Sequence, residues 1–213
     1  MKKMLITRPN YDKGMGYLFA WSKEIVESAE EKNFTVLTAD GRDANKKIVH
    51  SKLEKMKPEF VFFNGHGNKH EIYGHDLEPV MTNSSANLLK NTITFARSCN
   101  CLEELGDNAV SEGCRAFIGY SGQFWFPMIN RYELNPLKDT AAKPVLEVSN
   151  TVPLKIIKNS TVAEAVDAAR NLATKHILKL LTSEELYDRA ALRALIQNDS
   201  CLDFRGDGNA NIE

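Results

Sequence analysis

Apolar positions in the first third of the chain alternate between two patterns. Residues 3–7 form a short apolar run that stops in Arg8-Pro9-Asn10-Tyr11-Asp12-Lys13-Gly14, a turn-rich loop. Between residues 17 and 31, Leu18, Trp21, Ile25, Val26 and Ala29 recur at helical spacing, with Lys23, Glu24, Glu27, Glu30 and Glu31 on the other side. That spacing predicts one amphipathic helix. Residues 34–37 read as a second strand, and Asp43 as the cap of a helix through Met56 that turns Ile48, Val49, Leu53 and Met56 inward, with Pro58 past its end. Residues 60–63, Phe-Val-Phe-Phe, form a third strand, apolar on both faces. Strand, helix, strand, helix, strand in this order predicts an α/β fold: a three-layer α/β/α sandwich around a mostly parallel sheet with right-handed crossovers.

The remainder extends the same plan. Residues 92–96 and 115–120 read as strands, separated by a helix from about Cys101 to Glu112. Residues 123–159 show no clear period and read as a less regular stretch bearing Phe124, Trp125, Phe126 and several prolines. Ser160 or Thr161 opens a long helix whose stripe is Val162, Ala165, Val166, Ala169, Leu172, Ile177 and Leu180, and Ser183 caps another from Glu184 to about Ile196. A last apolar pulse falls at Cys201-Leu202-Asp203-Phe204.

Size and charge narrow the function classes. The 213 residues suit a single domain. With 27 Lys+Arg against 28 Asp+Glu, the formal charge of -1 provides no global field for nucleic acid or an anionic membrane. No segment approaches the roughly 20 apolar residues that span a bilayer, and the run behind Lys2 and Lys3 is too short for a signal-peptide core. A cytoplasmic setting is expected, with Cys99, Cys101, Cys114 and Cys201 reduced.

Two of the strands end in reactive side chains. Phe60-Val61-Phe62-Phe63-Asn64-Gly65-His66-Gly67 and Thr92-Ile93-Thr94-Phe95-Ala96-Arg97-Ser98-Cys99 each deliver their next residues to the carboxyl edge of the sheet, where binding sites of open α/β folds form. On neighbouring strands, His66 and Cys99 would meet there as the dyad of a cysteine-nucleophile enzyme. The start of the following helix offers free N–H groups and a positive dipole end to a thiolate, and Gly65 and Gly67 allow a substrate carbonyl to approach the backbone. The N–H groups of Gly67 and Cys99 would suit an oxyanion hole. Cys101 is a competing nucleophile, disfavoured because it would already lie in the helix.

With these residues in place the chain resembles the caspase-fold (clan CD) cysteine peptidases, which include caspases, gingipains, legumains, clostripain and separase. It is most similar to the gingipain and bacterial caspase-like (CHAT-type) branches. The strand-His-Gly element is matched by residues 60–67 and the strand ending in a small residue and the nucleophile by residues 93–99. Residues 105–110 and 113–120 match the helix and strand that follow, Thr161-Val162-Ala163-Glu164-Ala165 a later helix start, and Phe204-Arg205-Gly206-Asp207 a closing strand. The resemblance implies a cysteine endopeptidase without a cofactor, acting on protein or peptide substrates. Cys99 would attack the peptide carbonyl and His66 protonate the leaving amine. Ser98 stands where the group has Ala or Gly, and no insert with an activation cleavage site is evident. Asp76 and Glu71 are near in sequence as acids that could orient the histidine. For substrate binding, Arg8 and Arg97 could receive an acidic side chain, Asp12, Glu103 and Asp107 a basic one, and Tyr120, Gln123, Phe124 and Trp125 are placed to line the cleft, where an aromatic loop could hold an extended peptide by area and by strand addition.

Other readings remain open at this level. His66, His70 and His75 with Cys99 and Cys101 carry enough N and S ligands for zinc, although no pair repeats a recognised metal-site spacing. A nucleotide-binding module would need a glycine fingerprint or P-loop lysine that Thr7-Arg8-Pro9-Asn10-Tyr11 does not provide. A catalytically inactive caspase-fold scaffold is the third.

Overall fold

The computed structural model describes residues 2–212. Its central sheet has six strands: β1 (Lys3–Arg8), β2 (Thr35–Asp40), β3 (Phe60–Asn64), β6 (Ile93–Arg97), β7 (Ala116–Tyr120) and β8 (Leu202–Gly206), in the order β2-β1-β3-β6-β7-β8. All neighbours are parallel except β8, which runs antiparallel to β7 at the edge. Between β3 and β6 the chain makes an antiparallel hairpin, β4 (Glu71–Tyr73) with β5 (Pro79–Thr82).

Alternate strand residues feed two separate cores, which makes the domain three-layered. Met4, Ile6, Phe60, Phe62, Ile93 and Phe95 face α1 (Lys13–Trp21), α2 (Lys23–Glu31), α5 (Lys143–Ile157), α6 (Val162–Leu180) and α7 (Leu186–Cys201). Leu5, Val61, Phe63 and Ala96 face α3 (Lys46–Met56), α4 (Glu104–Ser111) and the hairpin. The doubly apolar β3 is thus covered on both sides, as its unbroken hydrophobic run requires.

Several elements depart from the sequence expectation. The helix expected over residues 17–31 is two helices broken at Ser22, whose buried hydroxyl donates to the Phe19 carbonyl at 3.0 Å. The first begins at Lys13 because Asp12 caps it. Asn45, not Asp43, caps α3, its side-chain Oδ1 accepting from the Ile48 N–H at 3.0 Å. The supposedly irregular stretch contains all of α5, where Pro144 sits in the first turn, a position that needs no N–H, and Pro153 lies within the helix. Helix α4 starts at Glu104 rather than near Cys101, so no helix begins at Cys99. The capping box of Thr161 and Glu164 opens α6 as read.

One buried polar network joins the carboxyl ends of the three central strands. Arg97 is 0% exposed; its Nε and Nη2 donate to Asn64 Oδ1 at 2.9 and 2.6 Å, and its Nη1 to Asn150 Oδ1 at 2.7 Å. Asn64 Nδ2 in turn donates to the Thr7 carbonyl at 2.8 Å, and Asn150 Nδ2 to the Trp21 carbonyl at 2.7 Å and to Glu24 at 2.5 Å. Strands β1, β3 and β6 and helices α1, α2 and α5 are therefore coupled through one guanidinium. Arg97→Met is expected to lower the unfolding free energy by about 3 kcal/mol, because two buried amide oxygens lose their donors. Urea denaturation checks this; a loss below about 1 kcal/mol would mean the network carries little of the stability.

Candidate active site

The site follows from where two adjacent strands stop. Asn64 and Arg97 are register partners at the ends of β3 and β6, so His66 and Cys99 each leave the sheet two residues later, side by side. Both line one cleft of about 160 Å³, together with Gly14, Gly65, Ser98 and an apolar wall from α1 and the segment after β7.

Asp12 completes the arrangement from the loop after β1. Its Oδ1 accepts from the Met15 N–H at 2.8 Å, capping α1, and its Oδ2 lies 2.8 Å from His66 Nε2. With Nε2–H donating to this carboxylate, Nδ1 is the ring nitrogen left as a base. Neither of the acids expected on sequence proximity takes this place. Glu71 accepts from the Tyr73 hydroxyl at 2.8 Å, and Asp76 lies 3.7 Å from His75. The signal for Asp12 was present as an Asp immediately before a helix start at a strand's carboxyl end, but the loop reading placed the helix later.

Hairpin β4–β5 explains the glycines beside the histidine. A Cβ on Gly65 would stand 2.0 Å from the Tyr73 carbonyl oxygen, and one on Gly67 2.1 Å from Ser98 Oγ and 2.8 Å from the Glu71 carbonyl oxygen. Their first requirement is thus close approach of the protein's own backbone and of Ser98, beyond the substrate access expected from sequence. Ser98 is buried and its hydroxyl has no partner among the described residues. Nor does the backbone N–H of Gly67 or of Cys99 find an acceptor among them.

The two rival thiols are in different surroundings. Cys99 is partly exposed in the cleft, and its Sγ donates to the Phe124 carbonyl at 3.5 Å. Burial pushes its pKa up from the ordinary thiol value, which favours the neutral thiol. The helix-dipole activation expected at this position is missing, since α4 starts five residues further on. Asn100 instead turns the chain in the left-handed region at φ 56°, a conformation asparagine tolerates, with its N–H on the Gly122 carbonyl at 2.9 Å. Cys101 then points beneath the sheet, 0% exposed, with its thiol pushed up to about 12 by burial.

The remaining expected substrate contacts divide. Phe124 and Trp125 line the cleft; Gln123 is exposed beside it and is not among the lining residues. Arg97 does not reach the cleft, because its guanidinium is consumed by the buried network, and Tyr120 is 1% exposed with its hydroxyl on Ser149 at 3.1 Å. Arg8 is held by Asp40, its register partner on β2, with Nε on Oδ1 at 2.8 Å, and Asp107 by Arg205 at 2.8 Å. Asp12 borders the site with both oxygens committed. Trp125 has its N–H on Asn198 Oδ1 at 3.2 Å and its carbonyl on Asn198 Nδ2 at 2.9 Å, so strand addition there would have to displace α7's side chain. Of the histidines and cysteines considered for zinc, only His66 and Cys99 share the cleft, and no group of three or more His, Cys, Asp or Glu able to hold a metal occurs among the described residues. Among those residues no helix is long and apolar enough to cross a membrane.

Comparison with known proteins supports the architecture. No protein-family profile and no curated protein matches the sequence. Among solved structures, the Arg-specific cysteine proteinase gingipain R superposes with a TM-score of 0.61 at 10% identity, covering 99% of this chain and 47% of that one. A second structure, described as a protease, superposes at 0.58 with 14% identity, covering 98% of this chain and 48% of that one. The chain thus has the fold of caspase-like cysteine proteinases and spans about half the length of these two.

If Cys99 rests as a neutral thiol, its alkylation by iodoacetamide in the native protein should rise about tenfold per pH unit between about pH 6 and 8, with Cys101 and Cys114 unreacted until unfolding. Peptide mapping by mass spectrometry measures this. A Cys99 rate already flat below about pH 7 would instead indicate a preformed thiolate.

Proposed function

We propose that this protein is a cysteine endopeptidase of the caspase-like group, closest to its gingipain and bacterial caspase-like branches, working through Cys99 and His66. The observation that carries the reading is the cleft that Cys99 and His66 share: a partly exposed thiol beside an imidazole whose Nε2 is held by a carboxylate.

Each group has a role that its environment suits. As a peptide carbonyl enters, Cys99 attacks and its proton passes to His66 Nδ1. Asp12 steadies the imidazolium that forms and keeps the ring oriented. The N–H groups of Gly67 and Cys99 receive the oxyanion. His66 then returns the proton to the leaving amine, the C–N bond breaks, and water hydrolyses the thioester with the same histidine as base. Asp12 is a positioning residue here and touches no reacting atom.

The test is a fluorogenic peptide library with three variants. Cys99→Ala and His66→Ala should abolish turnover with the fold retained by circular dichroism. Asp12→Asn keeps a good helix cap but loses the carboxylate, so kcat should fall on the order of a hundredfold with KM little changed. Full activity in Cys99→Ala would refute the assignment, and an Asp12→Asn effect confined to thermal stability would reduce Asp12 to a cap.

A further inference from the structure

Resting on the peptidase reading, we propose that the cleft beside Cys99 selects peptides with an apolar side chain, aromatic or long aliphatic, immediately before the scissile bond. Its walls are Met15 and Leu18 from α1 facing Phe124, Trp125, Phe126 and Met128 from the segment after β7. None of these carries a charge, and the other lining residues are the dyad, Ser98 and two glycines.

The charged groups on the neighbouring loops already have contacts of their own. Asp12 serves His66 and the Met15 N–H; Lys13 donates to Asn130 Oδ1 at 2.6 Å and lies 4.0 Å from Glu133. Arg8 is bound by Asp40, and Arg131 lies over the Tyr132 ring with 4.8 Å to its centroid. With Asp12 turned to His66 and the Met15 N–H, and with no ionisable side chain among the lining residues other than the dyad, a substrate arginine or aspartate would lose hydration without a counter-charge facing it. Gingipain R, which shares the fold, is Arg-specific; no acidic residue lines this cleft.

Size and rigidity fit the same class. A dry apolar cavity of about 150 Å³ takes up a benzene ring, and this cleft measures about 160 Å³. Phe124 lies tilted against Tyr120 with ring centroids 4.7 Å apart and approaches Phe126 at 6.0 Å, while Tyr17 backs Phe126 at 5.8 Å, so one wall is a set of mutually braced rings. Met15 and Met128 supply thioethers that adapt to shape, so the cleft accepts a class of side chain rather than one residue. Trp125 and Met128 remain 36% and 37% exposed, apolar surface that an entering side chain would cover.

The experiment uses peptidyl acyloxymethyl ketones identical except for Phe, Leu, Ala, Arg or Asp next to the ketone. Cys99 displaces the carboxylate leaving group and is retained as a thioether, read by intact mass and peptide mapping. The Phe and Leu probes should label Cys99 at least about tenfold faster than Ala, Arg or Asp. Met128→Glu, a change at the exposed rim, should raise the Arg-to-Leu rate ratio at least about tenfold. Fastest labelling of Cys99 by the Arg or Asp probe, or an unchanged ratio in Met128→Glu, would overturn the apolar specificity while leaving the peptidase intact. Failure of every probe with iodoacetamide still alkylating Cys99 would overturn the peptidase reading, and the specificity with it.

Discussion

Everything at the carboxyl edge of the sheet hangs on a single cation held inside the protein. Arg97 takes a charge into the layer between the sheet and α5, and no carboxylate among the described residues bonds it directly; it is received by the amide oxygens of Asn64 and Asn150 and lies over the Phe62 ring at 5.1 Å from the centroid. Desolvation lowers its pKa to about 10, still well above neutrality, so the group remains charged. Arginine suits this place because its fork offers several donors in fixed directions, two of which close on one oxygen of Asn64. The consequence is registry. With β3 and β6 tied at their last residues and β1 at its next-to-last, the loops that leave them start from fixed points, and these loops carry Asp12, His66 and Cys99.

Economy of groups marks the site built on that frame. One carboxylate caps a helix with one oxygen and orients an imidazole with the other, so the stability of α1 and the orientation of His66 share Asp12. The hairpin that crowds Gly65 and Gly67 fixes the backbone on either side of His66 without occupying the N–H of Gly67. The raised thiol pKa of Cys99 also lessens the oxidation of a partly exposed sulfur, which follows thiolate character.

The layered α/β fold was legible because its signals are local. Doubly apolar strands such as Phe60–Asn64 and amphipathic helices such as α6, with its capping box, declare themselves within a window of about 15 residues. His66 and Cys99 could be placed for the same reason, as residues just past strand ends. What escaped depends on tertiary partners. Arg97 and Tyr120 look like cleft residues by position, yet strand alternation turns both into the interior, where Asn150 and Ser149 of α5 meet them. Helix α5 itself was hidden by two prolines, one harmless in its first turn. The hairpin strands of three and four residues are too short for a period, and Asp12 meets His66 only after β1 and β3 pair.

The central claim concerns a covalent intermediate, and it can be observed directly. During turnover of a slowly deacylated peptide ester, acid quenching followed by mass spectrometry should show the acyl fragment as a thioester on Cys99, building up within the first turnover and decaying as substrate is exhausted. Hydrolysis of the same ester at an undiminished rate with no adduct on Cys99, or with the acyl group on another residue, would contradict it.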